Sequence, residues 1–270
     1  MNNIVYIYGN DKRQYYIAKM LNEYGYTTIN VPLSDYSENT SDYTAAEISD
    51  SEYLLLPVPV SEEIINSIAP FVHSETYIMS GSLPKDFIEI CEAEHAHLFN
   101  YMKVPEVAIR NAAATAEGAV CEAIKVGPYT LQGSKSLVIG YGRCGSVLCD
   151  KLSALKSHVS VLTRSSSGKA HAEADGYNIF SKNYSDFDFI FNTAPAPVIT
   201  RDIIDLLKDD CVIIDIASAP GGTDFEYCKK KGITALLCPG LPAKYSPKTS
   251  AGIIFDECIK FLECNTPGIE

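Results

Sequence analysis

Positively charged residues are scarce in this sequence. Lys and Arg number 22 against 34 Asp and Glu, which gives a formal net charge of −12. Nucleic acids and anionic lipid surfaces both present arrays of phosphates, and a chain with this balance offers neither of them a basic face. We therefore expect no nucleic acid and no membrane among its partners.

Long apolar runs and paired cysteines are missing as well. The first apolar stretch, Ile4–Tyr8, is too short for a signal sequence and has no basic flank, and no later run approaches membrane-spanning length. The nine cysteines form no C-x-x-C pair and are scattered through apolar segments. We expect a cytoplasmic protein whose thiols are reduced and packed as small hydrophobic side chains, with no metal ion.

Short apolar strands alternate with helical patterns in the N-terminal half. This alternation favours a parallel, doubly wound α/β sheet. An alanine-rich helix from Asn111 to Lys125 follows and ends before Pro128, as a connector between two domains would. The predicted strands of this half are Ile4–Tyr8, Thr28–Val31, Tyr53–Leu56 and Thr76–Met79.

The same alternation restarts at Gly133 and predicts a second doubly wound unit, of the Rossmann type. After Pro247, apolar residues recur at helical spacing and predict a closing helix that packs back on the first domain. The predicted domains are a flavodoxin-like domain with the connector helix at 1–126, a Rossmann domain at 127–246 and the returning helix at 247–270. The predicted strands are Ser136–Ile139, His158–Thr163, Phe187–Asn192, Cys211–Ile216 and Thr234–Leu237.

A G-x-G-x-x-G motif lies between the first strand of the second unit and a helical run. Gly140 permits the tight turn, Gly142 lets the backbone approach a pyrophosphate, and Gly145 allows close packing of helix and strand. The helix N-terminus offers free N–H groups to the phosphates. The predicted cofactor contacts in this motif are Gly140, Gly142, Arg143, Cys144 and Gly145.

The end of the second Rossmann strand carries a cation where an NAD enzyme would carry an acid. Arg164 and the adjacent serines supply the charge and hydroxyl donors that a 2′-phosphate requires, so we expect NADP(H) in preference to NAD(H). Loops after the later strands are expected to border the nicotinamide half. The predicted contacts are Thr163, Arg164, Ser165, Ser166, Asn192, Thr193, Ala194, Pro195, Ala217, Ser218, Pro239 and Gly240.

Cations are also placed in a strand-to-helix turn of the first domain. Lys12 and Arg13 lie there with a helix N-terminus, and Ser80-Gly81-Ser82 repeats the arrangement after a later strand, so we expect both turns to bind anions. Glu117 and Asp224 are the carboxylates best placed by sequence to accept a proton, although either could be a surface acid or a helix cap.

Several stretches together resemble the family of the A subunit of dipicolinate synthase. One of them runs from Asp215 to Phe225, and its part from Ala217 onward is the most specific. Departures at Arg110, Ala114 and 243–245 concern substrate contacts and leave the cofactor loops intact. The other matching stretches are 9–14, 80–82, 115–118, 140–145, 164–166, 239–242 and 247–249.

The resemblance implies an NADP-dependent oxidoreductase subunit that makes dipicolinate during sporulation. Its substrate would be a dicarboxylate, either a hydroxy-tetrahydrodipicolinate or a dihydrodipicolinate, and its partners a flavoprotein-like B subunit of the synthase and further copies of itself. The two anion-binding turns would bind the carboxylates of this substrate, and Thr249 joins them through the matching stretch before the last helix. The expected substrate contacts are Lys12, Arg13, Ser80, Gly81, Ser82 and Thr249.

Two other functions are compatible with the same cofactor loops. A D-2-hydroxyacid dehydrogenase shares the domain order but uses a histidine in its C-terminal part, whereas the last histidine here is His171. A regulatory subunit that senses NADP(H) without chemistry would explain the cofactor loops but has no need of two anion sites in the other domain.

Overall fold

The computed structural model describes residues 4–9, 11–31, 52–181 and 183–265. The chain divides into two compact units: unit 1 comprises Met1–Ala108 with Pro247–Glu270, and unit 2 comprises Ile109–Ser246. The first division comes earlier in the chain than the predicted boundary at residue 126, and the second comes at 246/247.

Strands and helices alternate through both units. Within the described ranges, no helix combines the length and the apolar character needed to cross a bilayer. The strands are β1 Ile4–Tyr8, β2 Thr27–Val31, β3 Tyr53–Leu55, β4 Tyr77–Ser80, β5 His97–Asn100, β6 Lys135–Ile139, β7 His158–Leu162, β8 Asn178–Ile179, β9 Phe189–Asn192, β10 Val212–Asp215 and β11 Thr234–Leu237. The helices are α1 Lys12–Glu23, α2 Glu62–Ile68, α3 Lys85–Ala93, α4 Pro105–Val126, α5 Arg143–Ala154, α6 Ser166–Ala174, α7 Arg201–Ile204, α8 Phe225–Lys231, α9 Leu241–Tyr245 and α10 Pro247–Asn265.

Unit 1 contains a five-stranded parallel sheet in the order β2-β1-β3-β4-β5. This is the flavodoxin-like strand order. Strand β5 was not predicted from the sequence, because its four residues lie at the sheet edge and none of them is fully buried. An edge strand of this kind lacks the apolar run by which buried strands are predicted.

The closing helix α10 packs against α1 on one face of this sheet. Ile17 and Leu21 of α1 are buried in one cluster with Ile254, Cys258 and Leu262 of α10. The prediction that the C-terminal helix returns to the first domain is therefore confirmed, and the helical spacing of its apolar residues explains why it was predictable.

Unit 2 contains a six-stranded parallel sheet in the order β11-β10-β9-β6-β7-β8. Counted from β6, this is the Rossmann order, so the predicted fold class is confirmed. The prediction of five strands was wrong by one, since β8 has only two residues and leaves no periodic signal.

The strand order of unit 2 reverses between β6 and β9. Their carboxyl ends, Ile139 and Asn192, lie side by side in register. In open α/β sheets, ligands bind outside the carboxyl ends of the strands at this switch point. A ligand site is therefore expected at the loops that follow β6, β7, β9 and β10.

Candidate dinucleotide site

The turn after β6 has no room for a side chain at its first glycine. Gly140 has a φ of +97°, and a Cβ there would lie 2.3 Å from Oγ1 of Thr193. That hydroxyl donates to the carbonyl oxygen of Ile139 at 3.0 Å. The turn after β6 and the loop after β9 are thus held together at the switch point, as the Rossmann motif requires.

The other two glycines of the motif have opposite surroundings. A Cβ at Gly145 would lie 2.1 Å from the carbonyl oxygen of Gly140, whereas a Cβ at Gly142 would meet nothing within 4 Å. Gly142 is the N-cap of α5 and provides no side-chain cap bond. Close packing at Gly145 and open space in front of the α5 N-terminus match what a pyrophosphate needs.

A cavity of about 420 Å³ lies at the carboxyl edge of unit 2. Its size is within the usual range for small-molecule sites, and its walls are mainly apolar. Tyr184, Val198 and Ile203 line it but were not predicted, because they belong to no motif. The lining residues are Ile139, Gly140, Leu162, Thr163, Arg164, Ser165, Tyr184, Ala194, Ala196, Val198 and Ile203.

Arg164 stands at the rim of this cavity, beside the N-terminus of α6. Its side chain is exposed and forms no ion pair with any residue that the structure describes. Ser165 is the N-cap of α6 and accepts a hydrogen bond from the amide of Gly168 at 3.1 Å. Since the first turn of α6 contains no acid, an available cation and a helix N-terminus meet at one place.

The loops after β9 and β10 are joined by a buried polar pair. Asn192 and Asp215 are both fully buried, and Nδ2 of Asn192 donates to Oδ1 of Asp215 at 3.0 Å. Asn192 also accepts from the amide of Ala194 at 3.0 Å. Asp215 was not among the predicted site residues, although a charged residue that ends an apolar strand is a signal that could have identified it.

The two predicted proton acceptors both have partners on the protein. Glu117 is exposed and paired with Lys151 at 2.8 Å. Asp224 is the N-cap of α8 and pairs with Arg201 at 3.1 Å. A hydrogen bond from the amide of Tyr227, reinforced by Arg201, holds the pKa of the Asp224 carboxyl below its usual value, which makes it a weaker base.

The predicted anion turn of unit 1 has its arginine already paired. Nε of Arg13 donates to Oδ2 of Asp11 at 2.8 Å, and both side chains are largely buried. Asp11 is also the N-cap of α1. Lys12, by contrast, is exposed and pairs with no described residue, so it is the more accessible cation of the two.

The serine turn after β4 differs from its expected form. Ser80 is fully buried, and its Oγ has no hydrogen-bond partner among the described residues. A Cβ at Gly81 would lie 2.4 Å from Cγ2 of Val58, so this glycine is needed for packing. Ser82 is exposed and is not the cap of α3, a position taken by Pro84.

The remaining predicted contacts lie at loop and helix ends. Thr249 is exposed in the first turn of α10. Gly240 is the N-cap of α9, with a φ of +65°. Cys144, in the first turn of α5, is partly buried, and burial raises the pKa of its thiol. The exposed residues among these remaining contacts are Arg143, Ser166, Pro195, Ser218, Pro239, Gly240 and Thr249.

Comparison with known proteins finds similarities both to unit 2 and to the whole chain. Residues 107–220 match the NAD-binding domain of D-isomer specific 2-hydroxyacid dehydrogenases. Among solved structures, the A subunit of dipicolinate synthase from Bacillus halodurans superposes with a TM-score of 0.87 at 28% identity, covering 96% of this chain and 97% of that one. The chain is similar to the A subunit of dipicolinate synthase.

Two further relatives show the same similarity to the A subunit of dipicolinate synthase. The corresponding solved chain of dipicolinate synthase from Bacillus subtilis superposes with a TM-score of 0.83 at 27% identity, covering 98% of this chain and 97% of that one. The A subunit of the synthase from Bacillus subtilis (strain 168) is 36% identical over 162 residues. That alignment takes in 58% of this chain and 54% of the relative, so the chain matches about half the length of its curated relative.

These similarities confirm the resemblance drawn from the sequence, and they establish a nucleotide-binding Rossmann domain of the dehydrogenase type in unit 2. They support a dehydrogenase-like oxidoreductase.

Proposed function

We propose that this chain is an NADP(H)-dependent oxidoreductase subunit that forms dipicolinate from a dihydrodipicolinate or its hydroxy-tetrahydro precursor. The observation that carries the proposal is the similarity to the A subunit of dipicolinate synthase, which extends across both sheets at 27–28% identity. A likeness confined to the nucleotide-binding half would support a cofactor but no substrate, because the Rossmann fold hosts many chemistries.

The preference for NADP(H) is supported by the surroundings of Arg164. An exposed guanidinium with no ion pair among the described residues, next to the N-terminus of α6, suits a 2′-phosphate. No acid occupies the first turn of α6, so no carboxylate of that turn repels a phosphate. The residues present also fit the rest of the cofactor, with open space at Gly142 for the pyrophosphate and an apolar cavity beside it.

The reaction needs a hydride acceptor and a destination for one proton. Acceptance of a hydride from a ring carbon of the dihydropyridine is the chemistry that a nicotinamide would supply if it were held by the loops that follow β9 and β10. The proton from the neighbouring atom would leave to a base or to water, giving dipicolinate, NADPH and one proton from dihydrodipicolinate and NADP⁺. Because aromatisation supplies driving force, water suffices as acceptor, which agrees with the engagement of Glu117 and Asp224 by other residues.

The residues proposed to bind the substrate carboxylates lie in unit 1. Lys12 offers an exposed ammonium, and Arg13 lies beside it at the N-terminus of α1. Arg13 would have to share its guanidinium between Asp11 and a carboxylate, and its fork of five donors permits this. Ser82 and Thr249 would add hydroxyl groups that solvent reaches.

The physiological setting is proposed from the same similarity. The subunit would act in the cytoplasm of a sporulating cell, with a flavoprotein-like B subunit and as a homo-oligomer.

Reconstitution tests the proposal. The purified chain would be incubated with NADP⁺ and the product of a dihydrodipicolinate synthase, with and without a B subunit, while pyridine absorbance and NADPH are followed. We expect both signals to rise in equal amounts. Absence of both with the B subunit present would overturn the proposed reaction.

A regulatory subunit without chemistry is the second candidate. It is favoured by one observation, which is that both predicted proton acceptors are held in an ion pair or a helix cap. Such a subunit would bind NADPH but neither bind dipicolinate nor produce it in the reconstituted reaction.

A further inference from the structure

Asp215 is a fully buried carboxylate at the end of β10 with four hydrogen-bond donors. Its Oδ1 accepts from Nδ2 of Asn192 at 3.0 Å and from the amide of Ala217 at 3.1 Å. Its Oδ2 accepts from the amide of Gly222 and the hydroxyl of Thr223, both at 2.8 Å. A charge removed from water is tolerated when it is compensated in this way.

The loop that follows β10 is also tied to the loop that follows β9. The carbonyl oxygen of Gly222 accepts from the amides of Val198 and Ile199, each at 2.9 Å. A Cβ at Gly222 would lie 2.3 Å from the carbonyl oxygen of Ala196, so the two loops touch through their backbones. Because Asp215 also accepts a hydrogen bond from the amide of Gly222, the loop at 217–223 is fixed against the loop that follows β9.

We propose that Asp215 is a positioning residue for the nicotinamide half of the dinucleotide, acting through the loop at 217–223. The proposal rests on the function proposed above. Arg164 follows β7 on one side of β6, whereas β9 and β10 lie on its other side. A dinucleotide lies across the switch point, so the loop after β10 serves the half that carries the nicotinamide.

The two oxygens of Asp215 have separate partners, which allows a selective test. An asparagine side chain at position 215 keeps an oxygen that can accept hydrogen bonds from Asn192 and Ala217. The loop that follows β9, which lines the cavity, would therefore stay in place. The NH₂ group of that side chain would face the amide of Gly222, so that donor would lose its acceptor. Asp215→Asn therefore loosens the loop at 217–223 while leaving the adenosine side intact.

The experiment compares a whole cofactor with its adenosine half. Parent, Asp215→Asn, Thr223→Val and Thr223→Ser proteins would be titrated with NADPH and with adenosine 2′,5′-bisphosphate. Loss of hydrogen bonds to a charged group should weaken NADPH binding by Asp215→Asn about tenfold. The bisphosphate affinity should stay that of the parent.

The Thr223 pair serves as the milder test if Asp215→Asn does not fold. Thr223→Val should weaken NADPH alone, by a smaller factor, and Thr223→Ser, which keeps the hydroxyl, should restore it. Equal losses for both ligands, or no loss for either, would overturn the positioning role. If the parent protein bound neither ligand, the proposed cofactor would be wrong. If the parent bound both ligands and the variants kept its ratio of NADPH affinity to bisphosphate affinity, only the positioning role of Asp215 would be refuted.

Discussion

The carboxyl edges of the two sheets differ in how their polar groups are satisfied. In unit 2, Asn192 and Asp215 are buried with hydrogen bonds to the loops around them. In unit 1, the hydroxyl of Tyr8, Oε1 of Gln14 and Oγ of Ser80 are buried without a partner among the described residues. The buried polar side chains at the edge of unit 2 are satisfied within the protein, whereas those at the edge of unit 1 would be satisfied by a ligand or an ordered water.

This difference shows which kind of site a motif can specify. The turn after β6 at the edge of unit 2 is formed by backbone and glycines, whose requirements are read directly from a short pattern. The edge of unit 1 depends on individual side chains, and an unsatisfied buried polar atom there costs about 1–3 kcal/mol. Substitutions at each edge test this distinction.

The largest effect is expected at Gly142. Gly142→Val adds a side chain in the open space before the α5 N-terminus and should weaken NADPH and NADH binding by at least about a hundredfold, with the protein still folded. Gly252→Val is the matched control, because Gly252 of α10 also has open space and belongs to unit 1. Fluorescence titration measures both, and normal binding by Gly142→Val would mean that the motif was misread.

The next effect concerns the choice of cofactor. Arg164→Ala should weaken NADPH binding by about 1.5–3 kcal/mol, since a charge-assisted phosphate contact is lost, and leave NADH nearly unchanged. Lys169→Ala, an exposed cation further along α6 with its own partner Glu173, should change neither. Equal weakening of the two cofactors by Arg164→Ala would refute a 2′-phosphate contact.

A smaller effect is expected at the edge of unit 1. Arg13→Ala should raise the dipicolinate dissociation constant about tenfold and leave NADPH affinity unchanged, with Arg13→Lys recovering only part because a point charge cannot reproduce the fork. Asp11→Asn keeps a capping side chain and removes the charge that competes for Arg13, so dipicolinate affinity should not fall. Calorimetry measures these affinities. If Arg13→Ala bound dipicolinate as tightly as the parent, Arg13 would have only a structural role.

The smallest effect is on stability in acid. The hydrogen bond from Lys244, and to a smaller extent the one from Tyr245, holds the pKa of the Glu122 carboxyl below its usual value of 4.5. A lowered folded-state pKa contributes stability above the unfolded-state pKa, and that stability is lost as the pH falls through the folded-state value.

Glu122→Gln should therefore destabilise the protein at neutral pH by about 1 kcal/mol or less, since Lys244 is half exposed, and flatten the loss of stability in acid. Thermal unfolding at pH values above and below the Glu122 pKa measures this. Glu117→Gln is the comparison, because the pair of Glu117 with Lys151 is exposed on both sides and should matter less. A larger effect for Glu117→Gln would contradict this assignment.

Most of the fold and the glycine turn were predictable from the sequence, but the side-chain environment was not. Buried parallel strands are apolar runs, so β6, β9 and β10 were predictable, whereas the short edge strand β8 was not. The burial of Ser80 depends on tertiary geometry that no local pattern encodes. The pairing of Arg13 with Asp11, two residues earlier at the helix N-cap, is local but was not predicted. Three contacts of Asp215 are with the loop that directly follows it, whereas the fourth is with Asn192 on another strand, which comes close only in the folded sheet.

A crystal structure of the chain with NADPH bound would show where each part of the cofactor lies. We expect the pyrophosphate over the N-terminus of α5 beside Gly142, the 2′-phosphate against Arg164 and Ser165, and the nicotinamide toward the loop at 217–223. NADPH bound at any other edge, or its 2′-phosphate turned away from Arg164, would contradict the proposed site.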